Sequence, residues 1–538
     1  MEPHVSASNR RPGLPFRSWM VGWALMAMGA LWSGGHADEP PSDRGPALTP
    51  AGEIDRLVVA DLDRLGLKPA GLCADPVFVR RAYLDVIGTL PTAAEVRAFL
   101  ADPAADKRSL LVDRLLARPE FADYWTAKWC DLLRVKAEFP INLWPNAVQA
   151  YHRWIDTRVR ENQPYNRFVY ELLTASGSNF RDGPVNFFRA MPNRDPGGIA
   201  RAVALTFMGT RAERWPAARL AGLAGFFGEV GSKPTSTWKE EIVFHDAARA
   251  TNGLAATAVF PDGTPARIAA GQDPRVVLAD WLVAPGNPWF ARAMANRVWA
   301  WLLGRGIVHE ADDLRPDNPP ANPELLAWLE RTFVASGYDV RQLFRLILTS
   351  QTYQRSSVPE SDDPRAATHF AHYALRRLEA EVLVDALNQI TGTTEAYSSP
   401  IPEPFTVMPE DQRAVNLADG SLTSPMLELF GRPPRDTGLE SERNNQPNAA
   451  QRLELLNSSH IQRKLERGPK LRPLLAACGR NQRDGVRGLY LTILSRPPTP
   501  GEWDAVAAYF RSSGNPGRDA AVDLAWALIN TAEFQYRH

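Results

Sequence analysis

The side chains best placed for chemistry crowd into residues 290–318. Arg292, Asn296 and Arg297 fall on one helical stretch, and Arg292 and Asn296, four apart, share a face. Gly304-Arg305-Gly306 then breaks the helix, and His309, Glu310, Asp312, Asp313, Arg315, Asp317 and Asn318 follow. Adjacent carboxylates of this kind suit general acid/base work or binding of a hard cation, and the arginines suit an anionic substrate group. Asp312, Asp313 and His309 are therefore the catalytic candidates. Arg292, Asn296, Arg297, Arg305, Arg315 and Asp317 are the binding candidates. The same residues also fit a helix C-cap at Gly304 followed by an Arg–Asp salt-bridged loop, and the sequence leaves both readings open.

A second charged stretch, GRPPRDTGLESERNNQP from Gly431 to Pro447, adds Arg432, Arg435, Glu440 and Arg443 to the binding candidates. Charges alternating along a Pro/Gly-rich loop form either a site or a strap held by ion pairs. Glu381 and Asp385, like charges one turn apart, require arginine partners from elsewhere. Arg81 and Asp85 have the i, i+4 spacing of a direct pair. His369 and His372 are three apart but lack the carboxylate of an HExxH pattern, so no metal site is expected there. The EF-hand, G-x-S-x-G, P-loop and dinucleotide motifs are absent from the sequence.

Composition narrows the class. The chain has 538 residues, 44% of them hydrophobic and 23% charged, with 61 basic against 61 acidic side chains. A disordered chain is less apolar, a disulfide scaffold has more than 3 Cys, and a charge-driven nucleic-acid binder is basic. No nucleic-acid partner is expected. Only eight of the basic residues are Lys, and Arg pairs carboxylates in a bidentate fork that Lys lacks. Sixteen Trp serve either cores or sugar-stacking surfaces.

Apolar residues recur at three and four from Ile54 onward, which predicts a mainly α protein. Its expected organisation is two helical domains with a small β-containing middle segment and a long irregular loop region. The boundaries are a leader at 1–37, a linker at 38–50, an N-terminal helical domain at 51–210 and a mixed connecting segment at 211–273. A second helical domain at 274–391, a Pro/Ser/Asn-rich loop region at 392–447 and C-terminal helices at 448–538 packing with the second domain complete it. In the mixed segment ARLAGLAGFFGEVG reads as helix, and WKEEIVFHD and LAATAVFPDGTPARI read as short strands. YLDVIGTLPTAAEVRAFL and YLTILSRPPTPGEWDAVAAYF share Tyr-Leu and Pro-Thr-x-x-Glu spacing. They read as one helical unit used twice, with Thr92/Glu95 and Thr499/Glu502 as capping boxes.

Arg10, Arg11 and Arg17 precede an apolar run from Trp19 to Trp32 and a Gly35-His36-Ala37 site, the pattern of a secretory signal peptide. The expectation is an exported protein, periplasmic or at the cell surface, with no membrane span in the mature chain. Cys73, Cys130 and Cys478 read as small core residues, with a Cys73–Cys130 bridge as the alternative.

The stretch from FVRRAYLDVIGTLPTAAEVRAFL to WTAKWCDLLR resembles the planctomycete-type domain of unknown function numbered fifteen forty-nine. NPWFARAMANRVWAWLLGRGIVHEADDLRPDN and RRLEAEVLVDALNQITG resemble its companion, fifteen fifty-three. The resemblance implies a secreted or cell-surface protein with no established activity. Relatives carry a CxxCH haem motif between the two domains. Here that stretch reads TFMGTRAERWPAARLAGLAGFFGEVG, without Cys, and c-type haem needs two thiols and an axial His. No haem or other cofactor is expected. Two functions follow: a helical scaffold or binding module, its partner a cell-surface glycan or another exported protein, or a hydrolase or lyase acting on a complex polysaccharide.

Overall fold

In the computed structural model the described residues are 52–252, 257–408, 410–514 and 517–538. The expected leader and most of the linker lie outside them. The described chain is 56% helical with only 5% strand, so the mainly α expectation holds. Periodicity becomes packing directly in helix Glu53–Leu65. Ile54, Leu57, Val58 and Leu62 are buried along one stripe, and Gly66 ends the helix in a left-handed conformation at φ 68°. Asp55 lies on the same buried side and accepts from Gln351 N, Thr352 N and Thr352 Oγ1 at 2.8–3.0 Å. The first helix thereby caps the start of helix Gln351–Gln354, where unpaired N–H groups favour a carboxylate.

Helix Asp75–Ile87 is buried on every side. Arg81 does not pair with Asp85 as its spacing suggests. Its guanidinium donates to the carbonyls of Tyr353, Arg355 and His538 at 2.6–2.9 Å. Asp85 instead accepts from Tyr353, Tyr373 and Arg376. These backbone carbonyls, two of them at the end of helix Gln351–Gln354, outcompete the neighbouring carboxylate, because a buried carbonyl left unpaired is costly. Arg80 does the same for Ile493 and Phe534 at 2.8 and 2.9 Å.

Both expected capping boxes form, at Thr92/Glu95 and Thr499/Glu502. The two units also meet, since helix Ala93–Ala101 packs on helix Gln482–Ile493. Three strands, β1 (Gly177–Ser178), β2 (Val230–Pro234) and β3 (Glu241–His245), form an antiparallel sheet in the order β1-β3-β2. β3 matches the strand read in WKEEIVFHD. The helix read over 218–231 ends at Ala224 and turns into β2, because three glycines (Gly225, Gly228, Gly231) interrupt it. Of the second expected strand, only an isolated bridge from Val259 to Pro265 is seen among the described residues.

β4 (Arg376–Arg377) pairs with β5 (Tyr536–Arg537), which fastens the chain end to the segment before helix Ala380–Thr391. One hydrophobic cluster runs from Ile54 to Phe534 and includes all three cysteines, which are free and buried; no disulfide forms. The 392–447 region is a strap rather than a free loop. Ala414, Val415, Leu422, Met426, Leu427 and Phe430 are buried along it, and Gly420 N donates to Val135 O at 2.9 Å. At Gly431, where φ is 86°, a side-chain Cβ would lie 1.8 Å from the Asn444 carbonyl oxygen, so only glycine closes the strap.

Candidate functional site

Helix Phe290–Leu303 starts where Asn287 Oδ1 accepts from the Trp289 and Phe290 amides, and ends at Gly304 with φ 81°. Arg376 crosses that end and donates to the Trp301 and Leu302 carbonyls at 2.6 and 2.7 Å, a cation on the negative end of the helix. A Cβ on Gly304 would lie 2.4 Å from Arg376 Cδ, so the glycine makes room for this cap.

The predicted residues divide into two sets. Those nearer the surface sit in ion pairs, mostly with residues outside the predicted set. Arg292 meets Glu330, Arg211 meets Glu310, and Asp313 lies between Arg214 and Arg315, with Arg315 reaching on to exposed Asp317. Arg305 and His309 lie beside them. The His309 ring is held below its ordinary value by burial and by Arg305. Asn296 is internal and exchanges both its amide groups with the Val308 backbone at 2.9 and 3.0 Å, which fixes the turn after the helix.

The second set is buried, and there the two charged stretches meet. Arg297 is wholly enclosed, donates to Thr206 O and to Asp312 Oδ1, both at 2.9 Å, and lies 3.6 Å from Glu440 of the strap. The other Asp312 oxygen accepts from the Glu440 backbone amide at 2.7 Å. Glu440 Oε1 accepts from Trp301 Nε1 at 2.7 Å. Burial and the neighbouring Asp312 push the Glu440 carboxyl up to about 7. A carboxyl raised on folding holds its proton more tightly in the native state, so its contribution to stability falls as pH climbs from about 4.5 to about 7. Glu440→Gln removes that fall. In urea unfolding the variant gains stability relative to the parent between pH 5 and pH 8; an unchanged difference contradicts the assignment.

The strap arginines land on helix Pro119–Leu132 and on the start of helix Ala380–Thr391. Arg435 meets Asp131 at 2.8 Å and the Ala418 carbonyl at 2.9 Å. Arg443 joins Asp131 at 2.7 Å to both Glu381 oxygens at 2.6 and 3.0 Å. Arg432 lies 3.6 Å from Glu381 and donates to the Leu422 carbonyl. Asp385 takes the Ala414 and Val415 amides and Arg413. The arginine partners that Glu381 and Asp385 require therefore come from the strap.

Sequence reasoning missed Lys128, Tyr124 and Arg537, which complete this network around Glu379. Lys128 and Glu379 are bonded, Tyr124 donates to Glu379 at 3.1 Å, and Arg537 donates to Tyr124 at 2.9 Å. Arg537 lies 3.5 Å from Asp85. Burial alone would raise the Glu379 carboxyl, but Lys128, Arg443 and Arg537 hold it well below the ordinary range. The available signal was Lys128 and Asp131 among the aromatic and apolar residues of the second half of that helix, where a charge marks a buried pair.

Trp301 also lines a cavity of about 40 Å³, with Phe121, Trp125, Trp129, Tyr165 and Phe344. That holds a few waters, whereas ligand pockets run to roughly 300–1,000 Å³. His369 is bonded to Asp61 and His372 faces the Tyr373 carbonyl, and no metal-holding group of His, Cys, Asp or Glu occurs among the described residues. No helix among them is long and apolar enough to cross a membrane.

No curated protein and no solved structure matches the chain. Two family descriptions do. Residues 53–212 match PSCyt2, a protein of unknown function (DUF1549), and residues 274–510 match PSD1, a protein of unknown function (DUF1553). The second match contains the Phe290–Leu303 helix, the strap and helix Ala380–Thr391, and the first contains helices Pro119–Leu132 and Pro196–Met208, to which they bind. The chain belongs to the proteins that carry this DUF1549–DUF1553 pair.

Proposed function

We propose that this chain is an exported, non-catalytic helical scaffold that binds its partner rather than transforming it. The observation that carries this reading is the internal saturation of its charged clusters. Both Asp312 oxygens are occupied, by Arg297 and by the Glu440 amide, and Arg435 and Arg443 are spent on Asp131 and Glu381. A catalytic carboxylate must face a space that substrate can enter. Export rests on the basic, apolar, small-residue order of residues 10–37. One observation favours a hydrolase or lyase acting on a complex polysaccharide. Glu440 keeps 30% of its side chain exposed and has a raised pKa beside a second carboxylate, the pattern of an acid and its partner.

The test is incubation with sulfated and neutral glycans, with and without Ca²⁺, followed by assay of new reducing ends and unsaturated ends. The scaffold reading predicts none. New ends that vanish in Glu440→Gln overturn it in favour of the enzyme.

A further inference from the structure

Three surface segments far apart in sequence bring aromatic rings together on one face. Trp144 and Trp238 have ring centres 4.6 Å apart at 74°, and Phe405 lies 5.6 Å from Trp144 and 6.3 Å from Trp238. Trp238 is 63% exposed and Phe405 52%. Phe139 and Val407, near these rings in sequence, are 69% and 74% exposed. Apolar burial drives folding, so rings left outside the core contribute little to stability there.

The backbone around the rings is held in conformations that side-chain-bearing residues avoid. Asn142, Trp144 and Lys239 have φ of 58°, 74° and 64°. Trp144, with ψ 146°, falls close to a region that is essentially reserved for glycine. The surroundings hold these turns in place. Trp144 N donates to Ala137 O and Leu143 N to Lys136 O. The Lys239 carbonyl accepts from Asn179 Nδ2 at 3.2 Å. The result fixes the Lys239 ammonium 5.5 Å from the Trp144 ring centre and 5.7 Å from that of Trp238. The neighbouring carboxylates have other cations: Glu241 meets Arg189 and Arg194, and Glu240 meets Arg181. Lys239 makes no ion pair within 4.0 Å among the described residues and acts on the Glu241 carboxyl only at longer range. Its charge stands over the rings for an incoming anion.

We infer that the Trp144–Trp238–Phe405 face with Lys239 is a binding site for an acidic glycan. The partially positive C–H face of a sugar ring stacks on the negative face of an indole or phenyl ring. The indole corner seats a ring-shaped ligand, and a carboxylate or sulfate on the sugar meets Lys239. Size points the same way. At roughly 150–250 Å² per aromatic side chain, the exposed parts of Trp238 and Phe405, 63% and 52% of each, amount to on the order of 200 Å². Each side of a stable protein interface contributes about 800 Å², whereas a patch of this size matches a few sugar rings.

This site rests on the binding-scaffold reading and deepens it, and the two fail separately. The experiment titrates the full chain with a sulfated galactan, polygalacturonate and an uncharged galactan, followed by calorimetry and tryptophan fluorescence. Vesicles of phosphatidylglycerol serve as the competing surface. Both acidic polymers are expected to bind, at least tenfold more tightly than the uncharged one. Trp238→Ala and Lys239→Gln, both at the surface and checked for unchanged circular dichroism, are each expected to lose tenfold or more. Acidic-glycan binding that survives both substitutions, or equal binding of the uncharged galactan, overturns the site and leaves the scaffold reading standing. So does binding to the vesicles alone. Cleavage of a polymer bound at this face overturns the scaffold reading and leaves the site.

Discussion

Arg443→Met is expected to destabilise the fold by about 3–5 kcal/mol, measured by urea unfolding with intrinsic fluorescence. The side chain is nearly buried and holds two carboxylates at once, Glu381 on both oxygens and Asp131 on one. Removing it leaves Asp131 with Arg435 alone and Glu381 with Arg432 at 3.6 Å, so two buried carboxylates lose the cation they share and are under-compensated out of water, the costly outcome. Methionine retains the aliphatic stem and adds no polar group, so the loss reads the charge rather than the volume. Coupling sets the sign of a second variant. With Glu381→Gln present, the cost of Arg443→Met falls, because one of the stranded charges is gone. Equal costs in both backgrounds would show that Arg443 and Glu381 act independently. The acid side follows from the same groups. Burial opposes the ionised Asp131 and Glu379, but Arg443, Arg435 and Lys128 hold Asp131, and Lys128, Arg443 and Arg537 hold Glu379, below their ordinary values, so this part of the stability is present at neutral pH and is lost as pH falls through the folded values.

Local features of this architecture were legible in the sequence, and its long-range partners were not. Helical periodicity from Ile54, the Pro-Thr-x-x-Glu capping boxes and the need of Glu381 and Asp385 for arginines all depend on spacing within a few residues, and each is realised. Arg81 and Asp85 show the limit. Their spacing permits a pair, yet both are claimed by groups some 270 or more residues away. The strap was legible as a charged, aperiodic stretch. That it clamps helices Pro119–Leu132 and Ala380–Thr391 depends on a tertiary crossing that no local pattern encodes. Arg537, next to the last residue, gave no signal at all, although it reaches Tyr124, Asp85 and Glu379. The aromatic face was hidden for the same reason. Trp144, Trp238 and Phe405 are each ordinary alone, and only the fold brings them within 7 Å of one another.

The charged clusters tie the elements of the fold to one another, the enclosed Arg297–Asp312 pair most tightly. Arg297 bridges the helix Pro196–Met208 carbonyls to Asp312, and Asp312 carries the strap through the Glu440 amide. Breaking it from either side strands a charge and orphans backbone groups. Replacing both members with apolar residues removes the charges together. Residues of an active site behave differently, since their removal leaves stability unchanged or raises it.

The deciding measurement is urea unfolding of Arg297→Leu, Asp312→Leu and the double variant at pH 7. The account predicts a loss of about 3–5 kcal/mol for each single substitution and a double variant less damaged than their sum by at least about 1 kcal/mol. Single variants as stable as the parent would contradict it and return Asp312 to the catalytic candidates.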